Sequence, residues 1–278
     1  MLRVNVGFPA VMATGIVSVA AAGAGRPWLS WTFFSLAAVF YVWSVIASQR
    51  SLDLESFAAV AATAVLGTRI GEAGLHTVAE VLLVAAGAGW IAVWTVVLRS
   101  RRFGSPTGTR LLCVVATQAA ATLAVVASSR LDVPAFALLA FGIALYPAVV
   151  ATIPPRELRV GAGDTWITMG ALAVSALAAA HVAAVTHEAA VRALARILWA
   201  AATAWLPVLV LSELRWPRVG FEPRRWSTVF PLGMYSACST AVARDAGLVP
   251  HAVGVAALWI AVLAWLATAA GAVRRAPA

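Results

Sequence analysis

Apolar runs of about twenty residues, the length needed to cross a bilayer as a helix, recur from one end of the chain to the other with short polar stretches between them. The pattern predicts ten spans: Phe8 to Ala24, Leu29 to Ser48, Ser56 to Ile70, Thr77 to Leu98, Leu111 to Ser129, Val133 to Thr152, Thr165 to Thr186, Ala189 to Leu211, Trp226 to Val242 and His251 to Val273. The loops alternate in length. Those such as Arg130 to Asp132 are very short, whereas those after the fourth, sixth and eighth spans run to about a dozen residues. This alternation predicts an all-α membrane protein of five helical hairpins in one orientation, in preference to two inverted repeats. The spans use up the length, so residues 1–278 are expected to form a single transmembrane domain.

Composition agrees with lipid as the main solvent: 62% of the 278 residues are hydrophobic, only 11% are charged, and the mean hydropathy is +0.91. The net charge of +9 rests entirely on arginine, for lysine is absent. Ten spans put both termini on one side, and that side carries fourteen arginines: 3, 50, 99, 101, 102, 110, 156, 159, 215, 218, 224, 225, 274 and 275. The other carries six: 26, 69, 130, 192, 196 and 244. The positive-inside rule then predicts cytoplasmic termini in a plasma (inner) membrane. No basic run is long enough to track a phosphate backbone, so a nucleic-acid partner is not expected. Trp28, Trp31, Trp216 and Trp226 lie near span ends, where an amphipathic ring prefers the headgroup layer. Cys113 and Cys238 fall inside separate spans and suggest neither a disulfide nor a metal cluster. The first apolar run lacks a cleavage pattern and leads directly into a second span, so it is expected to remain in the mature protein.

The odd-numbered spans mix small and polar residues, while even ones such as Val81 to Val97 are more uniformly apolar and read as lipid-facing. An inner ring of odd helices lining a central pore is the resulting expectation. Its candidate lining or kink positions are Pro9, Gly15, Thr63, Gly67, Thr117, Gln118, Thr168, Gly170, Pro231 and Gly233. Small residues also serve close helix packing with no path at all, and Gln118 could equally bond a neighbouring helix. The outer ends of the odd spans carry Arg26, Arg69, Arg130, His187 and Arg244. Such a basic ring would concentrate anions at a mouth, and the alternative is snorkelling or pairing with Asp132 and Asp245. Only Glu80 among eleven carboxylates lies clearly inside a span, and His181 reads as a packed, neutral imidazole, so a proton relay is not expected. No HExxH pattern or histidine–carboxylate pair points to an enzyme, and no cofactor is implied.

Residues 8–18 (FPAVMATGIVS), 65–69 (VLGTR), 116–118 (ATQ), 166–171 (WITMGA) and 229–235 (VFPLGMY) together resemble the tellurite-resistance/dicarboxylate transporter family. That family includes bacterial tellurite-resistance proteins, fungal malate permeases and the slow-type anion channels of plant guard cells. The resemblance spans nearly the whole chain and is most specific at 229–235. It implies ten helices as five hairpins around a pore, assembly as a homotrimer, and a phenylalanine of the ninth helix that plugs the path, here Phe230. The expected function is passage of small anions and C4-dicarboxylates such as malate by a channel or uniporter. The alternative is a proton-coupled dicarboxylate transporter.

Overall fold

The computed structural model describes residues 7–47, 52–101, 103–160, 163–217, 222–246 and 251–274, with residues 245–246 described by their backbone alone. Arg3, Arg50, Arg102, Arg218 and Arg275 of the orientation count, and the Asp245 side chain, lie outside the described residues.

The longer helices are α1 (Phe8–Gly23), α2 (Pro27–Ala47), α3 (Phe57–Glu72), α4 (His76–Ser100), α5 (Leu112–Ala127), α6 (Asp132–Val150), α7 (Ile167–Thr186), α8 (Ala189–Arg215), α9 (Trp226–Ala246) and α10 (His251–Arg274). A single further turn lies at Glu157–Val160, and no strand occurs among the described residues. Seven of the described helical segments are long and apolar enough to cross a membrane, and α1 is a shorter apolar helix. Short 3-10 turns lead into α3, α5, α7 and α9. At the first of these the Asp53 carboxylate accepts from the Ser56 amide at 3.1 Å while the Ser56 hydroxyl accepts from the Asp53 amide at 3.0 Å. This reciprocal cap satisfies amides that the first turn leaves without partners.

The helices fall into two layers. α1, α3, α5, α7 and α9 pack each on the next, and α9 packs back on α1, so the inner layer closes into a ring. Each of the other five lies outside, on the helix before it and against the following inner helix; α10 closes the set against α1. Burial follows this division: 89% of the most apolar window of the α5 segment is buried, against 17% for α4. The outer helices instead present Val39, Ile46, Val84, Ile91, Val133, Ile197, Leu214 and Leu263 to the surroundings. An exposed apolar belt of this extent belongs in lipid.

Glycines allow the ring to close. A Cβ at Gly15 would stand 3.1 Å from Val65, at Gly67 2.8 Å from Leu123, at Gly170 2.9 Å from Pro231, and at Gly233 2.8 Å from Ile16. Four of the five seams therefore depend on a missing side chain, the close approach that helix association in lipid exploits. Pro231 lies inside α9, and it fills the space that Gly170 leaves open.

Polar side chains tie the two layers together. Trp90 of α4 donates to Thr117 at 2.8 Å, Trp199 of α8 to Ser239 at 2.9 Å, and Trp265 of α10 to Thr14 at 2.9 Å. The hydroxyls of Tyr41 and Thr63 meet at 2.8 Å, and the Gln118 amide donates to the Leu139 carbonyl at 3.0 Å. With no water in the hydrocarbon region, an outer indole, phenol or amide must find its partner within the protein, and the inner helices supply it.

Candidate functional site

Along the axis of the inner ring lies a small apolar space of about 10 Å³, lined by Ile16 and Val19 of α1, Val65 and Thr68 of α3, Ala119 and Thr122 of α5, Val174 and Leu177 of α7, and Met234 of α9. Every inner helix contributes. The two threonines turn their hydroxyls to their own helices, Thr68 to the Ala64 carbonyl at 2.9 Å and Thr122 to the Gln118 carbonyl at 3.0 Å. The remaining lining is hydrocarbon and thioether, so this part of the ring's interior is a narrow apolar constriction.

At the C-terminal ends of the inner helices a cavity of about 560 Å³ opens, lined by Ala22, Gly23, Pro27, Trp31, Arg69, Glu72, Ala73, Val126, His181 and Arg244. Residues four apart share a helix face, so Thr68 leads to Glu72, Thr122 to Val126 and Leu177 to His181. The vestibule is thus the constriction continued by one helical turn, with its chemistry changed from apolar to charged.

Arg69 is the best-fixed charge there. It is 5% exposed, its Nε donates to the Ser30 hydroxyl at 2.6 Å, and its guanidinium carbon stands 4.4 Å from the centre of the Trp31 ring. Ser30 is itself held, because the Ser18 hydroxyl donates to its carbonyl at 2.7 Å. Arg69 and Arg244 both lie in the last turn of their helices, where the helix dipole favours a cation. Across the cavity the His181 Nε2 lies 3.7 Å from a Glu72 carboxylate oxygen, and the other ring nitrogen lies 3.0 Å from the Leu177 carbonyl. His181 is therefore not the isolated packed imidazole expected from the sequence. Its partner is Glu72, which lies beyond the expected end of the third span at Ile70; α3 continues to Glu72.

Of the five basic residues expected at the outer ends of the odd helices, Arg69 and Arg244 line this vestibule. Arg26, Arg130 and His187 lie on exposed surface away from its lining. The candidate lining positions distribute differently. Gly15, Gly67, Gly170 and Gly233 lie in the seams between inner helices, Thr63 and Thr117 face the outer helices, and Gln118 fills the space over Gly142 of α6. Thr168 donates to the Thr165 carbonyl at 2.7 Å, and Pro9 starts α1. None of them lines the constriction; their sequence neighbours Thr68 and Ala119 do. Phe230 is 3% exposed and stands one turn before Met234 on the same face of α9.

At the opposite end of the ring a second acid escaped the sequence reading. Asp164 is fully buried, neither carboxylate oxygen has a hydrogen-bond partner among the described residues, and an Arg224 nitrogen lies 4.0 Å away. Glu80, the one acid placed within a span, is exposed. Glu72 and Asp164 therefore bring negative charge to the two ends of the ring, each at a helix end. Among the described residues no group of three or more His, Cys, Asp or Glu could hold a metal ion.

The chain belongs to the voltage-dependent anion channel family, whose model matches residues 6–273. It is also 29% identical over 138 residues to the uncharacterized membrane protein Rv1735c of Mycobacterium tuberculosis strain H37Rv, and equally to MT1776 of strain CDC 1551. Each alignment covers 45% of this chain and 66% of the relative, a little under two thirds of the relatives' own length. With several long apolar helices and these relatives, the chain is a multi-pass membrane protein.

Proposed function

Starting from membership of that family, we propose that the chain is an anion channel or uniporter whose path follows the axis of the inner ring. In this reading the ten longer helices are five hairpins crossing a bacterial-type plasma (inner) membrane as one domain, with both termini cytoplasmic and three subunits per assembly. The vestibule then faces outward. Small anions are the cargo, with C4-dicarboxylates such as malate as the larger candidates.

The observation that carries the reading is the lining itself. One set of side chains from each of five helices surrounds the constriction and continues within a turn into a vestibule holding two arginines. Cations at a mouth raise the local concentration of anions, and an apolar neck keeps them out until it widens or wets. Phe230 shares a helix face with Met234 and lies on the far side of it from the vestibule, the place for an aromatic plug.

The test is current across a planar bilayer containing the purified protein, wild type beside Phe230→Ala, in asymmetric chloride and then malate. Anion-selective current that grows in the variant is expected; a well-folded Phe230→Ala protein that passes none would count against the assignment. The second reading, a proton-coupled dicarboxylate transporter, draws support from the Glu72–His181 pair. It predicts malate uptake into liposomes that requires a proton gradient beyond its effect on voltage.

A further inference from the structure

The vestibule holds its charges in an arrangement that bare attraction of anions does not require. A basic mouth needs Arg69 and Arg244 alone; this one also sets a carboxylate against an imidazole, 3.7 Å apart, in the same cavity. Both groups keep about a quarter of their side-chain surface open, 27% for Glu72 and 23% for His181, so protons and small ions can reach them.

The charged and titratable groups that face the pair can be named helix by helix. α1 contributes Ala22 and Gly23 and no charge, and α2 contributes Pro27 and Trp31. α3 contributes Arg69 with Glu72, α5 contributes Val126, α7 contributes His181 and α9 contributes Arg244. At the rim His76 of α4 has its Nδ1 3.2 Å from the Val126 carbonyl. Arg69 is tied back to Ser30 and Trp31, and the group that faces the Glu72 carboxylate at 3.7 Å is His181.

We propose that this vestibule is a proton-linked anion-binding site, in which Glu72 is a built-in competitor that protonation displaces. The proposal rests on the path described above. With His181 neutral and Glu72 ionised, the two arginines leave the lining one positive charge in excess. Protonation of the imidazole raises the excess to two, and protonation of the carboxylate raises it to three. Each proton taken up by the pair strengthens the site for an anion, and by linkage each anion bound favours uptake of a proton. A carboxylate that becomes neutral also leaves the imidazolium free to donate to the incoming ion. The ligand class is a small anion with exposed oxygen or halide charge, such as chloride or a short carboxylate.

The experiment is titration calorimetry of the full-length protein in nanodiscs with sodium chloride, against sodium gluconate at matched ionic strength. It is run at pH 8 and pH 5.5, each in two buffers of different ionisation heat. One unit charge gained within about 4 Å in wet surroundings is worth about fivefold in affinity, so chloride is expected to bind roughly fivefold more tightly at pH 5.5, with net proton uptake. Glu72→Gln is expected to bind at pH 8 as the wild type does at pH 5.5. The double variant Glu72→Gln/His181→Gln should lose the pH dependence while still binding. Equal affinity at both pH values, or a pH effect that survives in the double variant, would overturn the proposal. Binding is read without conduction: pH-linked binding in a protein whose Phe230→Ala variant passes no current would remove the path and keep the site. Current with pH-independent binding would do the reverse.

Discussion

The constriction is lined by the five inner helices alone, whereas the vestibule one turn away adds Pro27 and Trp31 of α2, and under the proposed function the two treat an ion in opposite ways. The first surrounds the axis with valine, leucine, isoleucine and methionine and turns its two threonine hydroxyls back to the helix backbone. The second places two arginines, a histidine and a glutamate around a cavity some fifty times larger. On the proposed path the barrier in the neck comes from lost hydration and the attraction in the mouth from charge. The difference makes selectivity and closure separable under the proposed function, so substitutions in one region should leave the other's property unmoved.

The largest effect is expected in the neck. Met234→Ser places a hydroxyl where water now finds no partner, and a barrier lower by about 1.4 kcal/mol would raise single-channel flux about tenfold; an unchanged conductance in the folded variant would contradict the assignment of the neck. Next comes the mouth. Arg69→Glu with Arg244→Glu should move the reversal potential in asymmetric chloride toward that of a cation path, with little effect on how often the neck opens. Packing in the ring stands third. Gly67→Ala pushes a methyl into Leu123 and Leu82 and should cost about 1–3 kcal/mol in thermal unfolding of the purified protein. Gly87→Ala on the outer α4, where a Cβ meets nothing within 4 Å, should not destabilise it. The smallest effect belongs to Gln118→Leu, which loses its bond to Leu139 and should cost about 1 kcal/mol while leaving the reversal potential unchanged.

Much of the fold could be read from the chain, because the signals that set it are long. The expected spans agree with the ten longer helices to within a few residues, and the small and polar composition of the odd spans picked out the helices that form the inner ring. The faces of those helices could not be read. An inner helix is buried on every side, so it carries no polar stripe to mark the axis, and hydroxyls and glycines serve seams as readily as paths. Gly67 and Gln118 stand out in the sequence by their chemistry, whereas Thr68 and Ala119, one position on, line the small apolar space. Glu72 lies two residues beyond the expected end of its span, and its contact with His181 lies 109 positions along the chain, a distance no local pattern spans. Arg69 was legible as a basic residue at a helix end, but its clamp on Ser30 and Trp31 was not.

That clamp reaches beyond the cavity. Ser30 and Trp31 belong to α2, one of the outer helices, and Ser30 is in turn gripped by Ser18 of α1. A charge at the mouth of the ring is thus aimed by a helix whose other face meets lipid. The placement of that guanidinium therefore depends on how α2 seats against α1, and not on the inner ring alone.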